Sequence, residues 1–200
     1  MSTPLVDTVY MADPPDTRAL LVQAGIELVD SAGLASVGLR SIARHAGVSH
    51  GAPRRYFPTH RSLLAAIAAA GLDDLKTAMA ESDSEPSTSP NTTLSAMARA
   101  YVDFAARRPG MFELLFRHDL LEGGGENLRG TTIPMLTTVE GLVATVVGRD
   151  QASSRALLLW ASIHGIAALT ATRALDVFET DLDAMVTDAV FVHLHAAAEQ

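Results

Sequence analysis

Apolar residues in this chain recur three and four positions apart over long stretches, and one-by-one alternation is scarce, so the chain reads as all-α. Leu20, Leu21, Ala24, Leu28 and Val29 mark a first helix running to about Ala32, with Gly33 as its stop. Its start is read at Asp13-Pro14-Pro15-Asp16, an acidic cap with prolines in the first turn and a second carboxylate at the positive helix end. Residues 1–12 show no period and are expected to be frayed. A long helix capped by Thr59 is predicted through an alanine-rich run to about Ala80. The polar stretch from Glu81 to Asn91, with two prolines, reads as a surface loop. The period then returns at Leu94, Met97, Ala98, Tyr101, Val102, Phe104 and Ala105, and again at Met111, Phe112, Leu114, Leu115 and Phe116. Three more helices are predicted over 131–147, 152–175 and 181–198. Gly123-Gly124-Gly125 reads as a flexible link and not as a phosphate loop, because no strand precedes it and no Gly-Lys-Ser/Thr follows.

Between the first helix and Thr59 the pattern is helix, glycine turn, short helix. Ala43 supplies the small side chain two crossing helices need, Gly47 the freedom for positive φ, and Val48 an apolar anchor. Gly38 takes the cap position of the second helix, and Ser49 is read as the N-cap of the third, which carries Arg54, Arg55 and Tyr56. Three constraints at this spacing are those of a DNA-binding helix-turn-helix.

Charge sharpens that reading. The chain is acidic, with a formal net charge of −8, which argues against indiscriminate nucleic-acid binding. Between Ser36 and Arg61, however, stand five arginines (Arg40, Arg44, Arg54, Arg55, Arg61) and three histidines, with no Asp or Glu. One small face attracts phosphate and the body repels it, which orients the molecule on a duplex.

The residues from about Arg18 to Leu72 resemble the tetracycline-repressor (TetR) family of transcription regulators. The resemblance rests on Leu20-Leu21 with Ala24, Leu28-Val29 and Gly33, then Leu39-Arg40-x-Ile42-Ala43-x-x-Ala46-Gly47-Val48-Ser49, then Tyr56-Phe57-x-x-His60-x-x-Leu63-Leu64. Trp160-Ala161-Ser162-Ile163-His164-Gly165 is similar to the Trp…His-Gly signature of one subgroup of the family's C-terminal domains. The resemblance implies an N-terminal three-helix helix-turn-helix domain over residues 13–60 and a C-terminal helical ligand-binding and dimerisation domain over residues 61–200, linked by the helix from about 60 to 80. It implies DNA contacts from Arg40, from Ser49, His50, Gly51 and Ala52 at the opening of the recognition helix, and from Arg54, Arg55, Tyr56 and His60. Pro53 and Arg54 stand where the family usually has an aliphatic residue and a tyrosine. A proline four residues into a helix capped at Ser49 removes an intrahelical donor, so the recognition helix is expected to start late.

At 200 residues, 48% of them hydrophobic, the chain can bury one sizeable core and a small second one. Cysteine is absent, which excludes a disulfide framework and thiolate chemistry. No apolar run was expected to reach the roughly 20 residues of a membrane span, and no secretory pattern opens the chain, so a cytoplasmic protein without a membrane partner is expected. No Gly-x-Ser-x-Gly elbow or His-Glu-x-x-His is present, and Asp73 and Asp74 diverge on a helix, so no enzyme and no cofactor are predicted. His193 and His195, two apart, point to different helix faces and do not suggest a metal pair.

Trp160 and His164 share a helical face and could line a ligand cavity with Tyr101, Met111, Phe112 and Phe116; the same stripe could equally be core or dimer interface. Arg117, His118 and Asp119 could orient an anion or simply close a helix in solvent. The last two long helices carry Leu157, Leu158, Trp160, Ala161 and Ile163 and then Met185, Val186, Ala189, Val190 and Val192, enough apolar surface to join two copies about a two-fold axis. The expected partners are a pseudo-palindromic double-stranded DNA operator, a small apolar or amphipathic effector and a second copy of the chain, acting together as a ligand-released repressor. The alternative is an all-helical small-molecule sequestering protein whose head no longer reads DNA.

Overall fold

The computed structural model describes residues 16–82 and 89–195; the helix start read at Asp13, the segment 1–12 expected to be frayed, most of the loop expected over 81–91 and the end predicted for the last helix lie outside them. Among the described residues there are ten α-helices, two short 3-10 turns and no strand. The all-α reading holds.

Three helices form the head: α1 (Thr17–Ala32), α2 (Leu39–His45) and α3 (Ala52–Tyr56). The cap of α1 is Asp16, whose Oδ1 accepts the Arg18 N–H at 2.9 Å. Gly33, at φ 75°, ends it. Ile42 and Ala43 on α2 are wholly buried, and Gly47 turns the chain at φ 68°, where a Cβ would be strained. Val48 is partly buried, packed on the core, and its N–H returns to the Ala43 carbonyl at 3.0 Å.

Helix α4 (His60–Glu81) carries the head into the body. Its start is a reciprocal cap: the Ser62 N–H donates to Thr59 Oγ1 at 3.0 Å and the Thr59 N–H to Ser62 Oγ at 3.1 Å. Leu63, Ile67 and Leu75 are buried along it, each contributing about 1.5–3 kcal/mol of transfer free energy.

The body comprises α5 (Pro90–Arg107), α6 (Pro109–Leu115), α7 (His118–Leu121), α8 (Arg129–Val147), α9 (Arg149–Ala171) and α10 (Leu182–His195). Helix α9 is its centre and packs on α5, α8 and α10; its Leu159 and Ile163 belong to one buried core with Val102 and Phe104 of α5 and Val186 and Val190 of α10. Sequence periodicity missed α7, which is too short to show a period. Pro134 lies inside α8, and the hydroxyls of Thr137 and Thr138 bond back to the Ile133 and Pro134 carbonyls at 3.0 and 3.1 Å.

One expectation needs correction. Helices α8 and α9 are long and apolar enough, by length and composition, to cross a membrane, with mean hydropathies of 1.3 and 1.2. Arg149 and Asp150 separate the two, and scattered Thr, Ser and Gly hide the apolar total from a search for unbroken runs. Within this fold α9 buries Leu159, Ile163 and Ile166 in the core while Leu157, Leu158 and Leu169 stay exposed, and the apolar residues near the start of α8 line a cavity.

Candidate functional site

The head presents its cations to the outside. Arg40 and Arg44 on α2 and Arg54 and Arg55 on α3 are exposed, and none of them is ion-paired among the described residues. His50 and Gly51 are exposed beside them, and Tyr56 is 44% exposed. Four guanidiniums left free on two short helices form a surface suited to phosphate and guanine edges.

The start of the recognition helix differs from the sequence reading in one respect and agrees in another. Ser49 is not its cap: the Ala52 N–H donates to the Ser49 carbonyl at 2.9 Å, closing a turn, and Gly51 is the N-cap without a side-chain bond. The helix therefore starts late, as expected, with Pro53 in its first turn, where an N–H has no intrahelical partner to lose. Ala52, expected to face DNA, is buried at 8% exposure, and Pro53 is fully buried beside it. The late start turns these two inward and leaves Arg54, Arg55 and Tyr56 outward. His60 has one nitrogen committed, since Nε2–H donates to the Val37 carbonyl at 2.7 Å. It ties α4 to the segment preceding α2. Of the five arginines in this stretch, Arg61 is diverted, its Nη1 donating to the Glu122 carbonyl of the body.

A cavity of about 620 Å³, open to solvent, lies between α4, α5, α8, α9 and the loop after α7. Its floor is aliphatic, from Leu72, Leu75 and Met79 on α4, Leu94 and Met97 on α5, and Leu157 and Ile163 on α9; Ile133, Leu136 and Val139 of α8 close one side. His118, Glu122, Glu126, Asn127, Arg129 and Thr132, all from the segment 118–132, add polar groups to the lining. A mostly apolar cavity of this size with a few polar groups suits a small amphipathic molecule.

Of the six aromatic-stripe candidates, Tyr101, Phe116 and Trp160 are in the wall. Met111, Phe112 and His164 stand behind it. Met111 is fully buried against Gly71 of α4, and Phe112 meets Tyr101 edge-on at 5.6 Å. His164 is stacked on Trp160 at 5.3 Å, lies 4.3 Å from the Phe116 ring, and shares a hydrogen bond of 3.0 Å between Nδ1 and the Tyr101 hydroxyl. Burial holds its imidazole below the ordinary value. It is thus a neutral side chain set against the tyrosine and tryptophan of the wall. Arg117 is occupied by Asp119, with two bonds of 2.8 Å, and lies near Glu113, so that cluster closes on itself while His118 joins the cavity. Of the lining from α8 and from residues 118–129, the sequence reading raised only His118, since the rest depends on a loop folding back onto α4 and α1.

Known proteins place this arrangement. The description "Bacterial regulatory proteins, tetR family" matches residues 21–67, and "Tetracyclin repressor-like, C-terminal domain" matches residues 94–192. An uncharacterized HTH-type transcriptional regulator of Bacillus subtilis (strain 168), YobS, is 30% identical over 105 residues, spanning 52% of this chain and 54% of that protein; the chain thus aligns with about half the length of this curated relative. A solved structure of a protein of unknown function from Rhodococcus sp. RHA1 is 26% identical, covers 96% of this chain and 98% of its own, and superposes with a TM-score of 0.78. A TetR-like transcriptional regulator from the same organism shares the fold with a TM-score of 0.71 at 15% identity, over 95% of this chain and 100% of its own. With a helix-turn-helix head matched in its first third and a helical body matched over most of the remainder, the chain belongs to the tetR family of bacterial regulatory proteins, which are DNA-binding transcriptional regulators.

Proposed function

We propose that the chain is a cytoplasmic, homodimeric repressor released from DNA by a small apolar or amphipathic effector. A head of residues 13–60 reads the operator and a body of residues 61–200 binds effector and partner. The observation that carries the proposal is the coexistence of a free cationic face on α2 and α3 with an apolar cavity of about 620 Å³ in the body. Arg40, His50, Gly51 and Arg55 approach base edges, and Arg54, Tyr56 and His60 hold phosphates. Tyr101, Phe116 and Trp160 contact the effector, positioned by Phe112 and His164. Two copies join through α9 and α10, whose outward faces carry Leu158, Leu169, Phe191 and Val192 at 49%, 47%, 58% and 54% exposure. Such side chains are costly to leave in water and are suited to a two-fold contact.

Effector binding releases DNA only if the effector has different affinities for the reading and non-reading states. Selection of bound duplexes from a random library at near-physiological salt tests the reading. A palindrome with half-sites about one helical turn apart is expected; absence of any enriched sequence would overturn it.

A further inference from the structure

The loop between α7 and α8 belongs to the cavity and to the head at once. Glu122, Gly123, Glu126 and Asn127 line the cavity, and the same loop is fastened at two points to α4, the helix that carries the head, and at one to α1 in the head itself. Arg61 at the start of α4 donates to the Glu122 carbonyl. Gly124 is pressed on α4 so closely that a Cβ would stand 2.6 Å from the Ala65 Cβ and 3.0 Å from the Arg61 carbonyl. Arg18 on α1 pairs with Glu126, Nη2 to Oε1, at 3.2 Å. Gly123 and Gly125 flank the contact at φ 76° and 93°, a conformation only glycine takes without strain. The glycine run is therefore a fitted contact and not slack.

Arg18 leads further. Its guanidinium lies over the Phe57 ring at 5.2 Å, and Phe57 is the buried residue that ends α3. A continuous path runs from the cavity wall at Glu126, through Arg18 and Phe57, to the recognition helix. The second ion-paired tie between α1 and the body, Arg108 with Asp30, involves no residue of the cavity wall.

We infer that Glu126 and Arg18 are positioning residues through which an occupant of the cavity alters the seating of α3. The inference rests on the effector-released reading above and specifies its route. An occupant that shifts the loop or takes hydrogen bonds from Glu126 competes with a half-exposed ion pair, the kind of contact weak enough to exchange. Gly124, with no free space against α4, passes the shift to that helix, which carries the head, instead of absorbing it.

The test uses the full chain and three ten-carbon probes, decyltrimethylammonium, decanol and decanoate, whose occupancy is read from the fluorescence of Trp160, the only tryptophan. Operator affinity is measured with and without each probe. In the natural sequence a bound probe is expected to weaken operator binding at least about tenfold. In Arg18→Gln, which leaves the cavity wall intact, Trp160 should report the same probe affinity while the operator effect falls below about threefold. Arg18→Lys should keep most of the effect. Full coupling in Arg18→Gln, or equal loss in both variants, would overturn the ion pair as the link. Weaker operator binding by Arg18→Gln without probe, at an unchanged salt slope, is the released state reached by permanent rupture of the pair and supports the route; a slope lowered by about 1 would make Arg18 a DNA contact and overturn it. A probe that quenches Trp160 yet never moves operator affinity in the natural sequence would overturn effector release itself, and no quenching by any probe would remove the cavity as the effector site and this route with it.

Discussion

The Tyr101 hydroxyl lies 3.0 Å from Nδ1 of His164, and burial keeps both groups neutral, pushing the phenol up and the imidazole down. The contact joins two neutral side chains. Protonating His164 would place a charge among Phe112, Phe116 and Trp160.

The sign of the resulting pH dependence is fixed. An unfolded histidine titrates near 6.5, and folding lowers it, so below that pH the unfolded chain takes up a proton that the native chain refuses. Stability should be insensitive to this group above about pH 7 and fall as pH drops through 6.5, levelling once the native pKa is passed. His193, lowered by burial and by Arg155, adds in the same direction. Thermal melts from pH 8 to 5 should show a smaller acid loss for His164→Gln, whose amide can still bond Tyr101. An unchanged slope would exclude His164 as a contributor.

Two helix glycines separate a rigid contact from a yielding one. A Cβ on Gly110 of α6 would stand 2.5 Å from the Val29 carbonyl oxygen and 3.4 Å from the Gly33 Cα, both backbone. A Cβ on Gly71 of α4 would meet the Met111 side chain, which can turn about three bonds. Gly110→Ala is expected to destabilise by about 1–3 kcal/mol. Gly71→Ala should cost less, because a gain of up to about 1 kcal/mol in helix propensity offsets the repacking. Denaturant midpoints of the two variants give the order directly.

The head was legible because its requirements are local. Gly47 needs positive φ, Ala43 a small side chain, and Thr59 a cap with Ser62 three residues on, all set within a few residues. Ser49 as cap was misread because Pro53 and the Ser49-to-Ala52 turn move the helix start by two residues, a competition between two acceptable starts that spacing alone does not resolve. In the body the aromatic stripe was visible, but which members reach the cavity was not. Met111 and His164 share the apolar period of Phe116 and Trp160, and only the packing of α4 and α5 puts them behind the wall. Glu126 was illegible for a stronger reason: its partner, Arg18, is 108 residues away.

Arg108 joins three elements at the head–body junction. It sits between α5 and α6, bonds Asp30 of α1 at 2.9 Å and Asp74 of α4 at 2.7 Å, and lies over the Phe104 ring at 5.3 Å. Burial alone would lower its pKa, but the hydrogen bonds to Asp30 and Asp74 outweigh it and raise the pKa. Arg108→Ala is expected to cost about 1–2 kcal/mol, between the values for exposed and buried pairs. A double-mutant cycle with Asp30→Ala should show the two losses to be non-additive; strict additivity would mean that the bond contributes nothing.

The free guanidiniums of the head can be sorted by what each does to salt dependence. Arg54 and Arg55 lie on α3 beside the buried Ala52 and Pro53, and Arg40 lies near the start of α2. A phosphate contact contributes by counterion release, so its loss weakens all sequences alike and lowers the slope of log affinity against log salt by about 1. A guanine contact also selects a base, worth about 1–3 kcal/mol at one operator position. Arg54→Ala is therefore expected to weaken selected and scrambled duplexes equally with a shallower slope, and Arg40→Ala to relax preference at a single position. Ala52→Ser, at a buried site, should leave slope and preference unchanged. Binding isotherms at several salt concentrations on both duplexes separate these outcomes, and a change of base preference in Ala52→Ser would show that the recognition helix is seated differently on DNA from the way it packs in this structure.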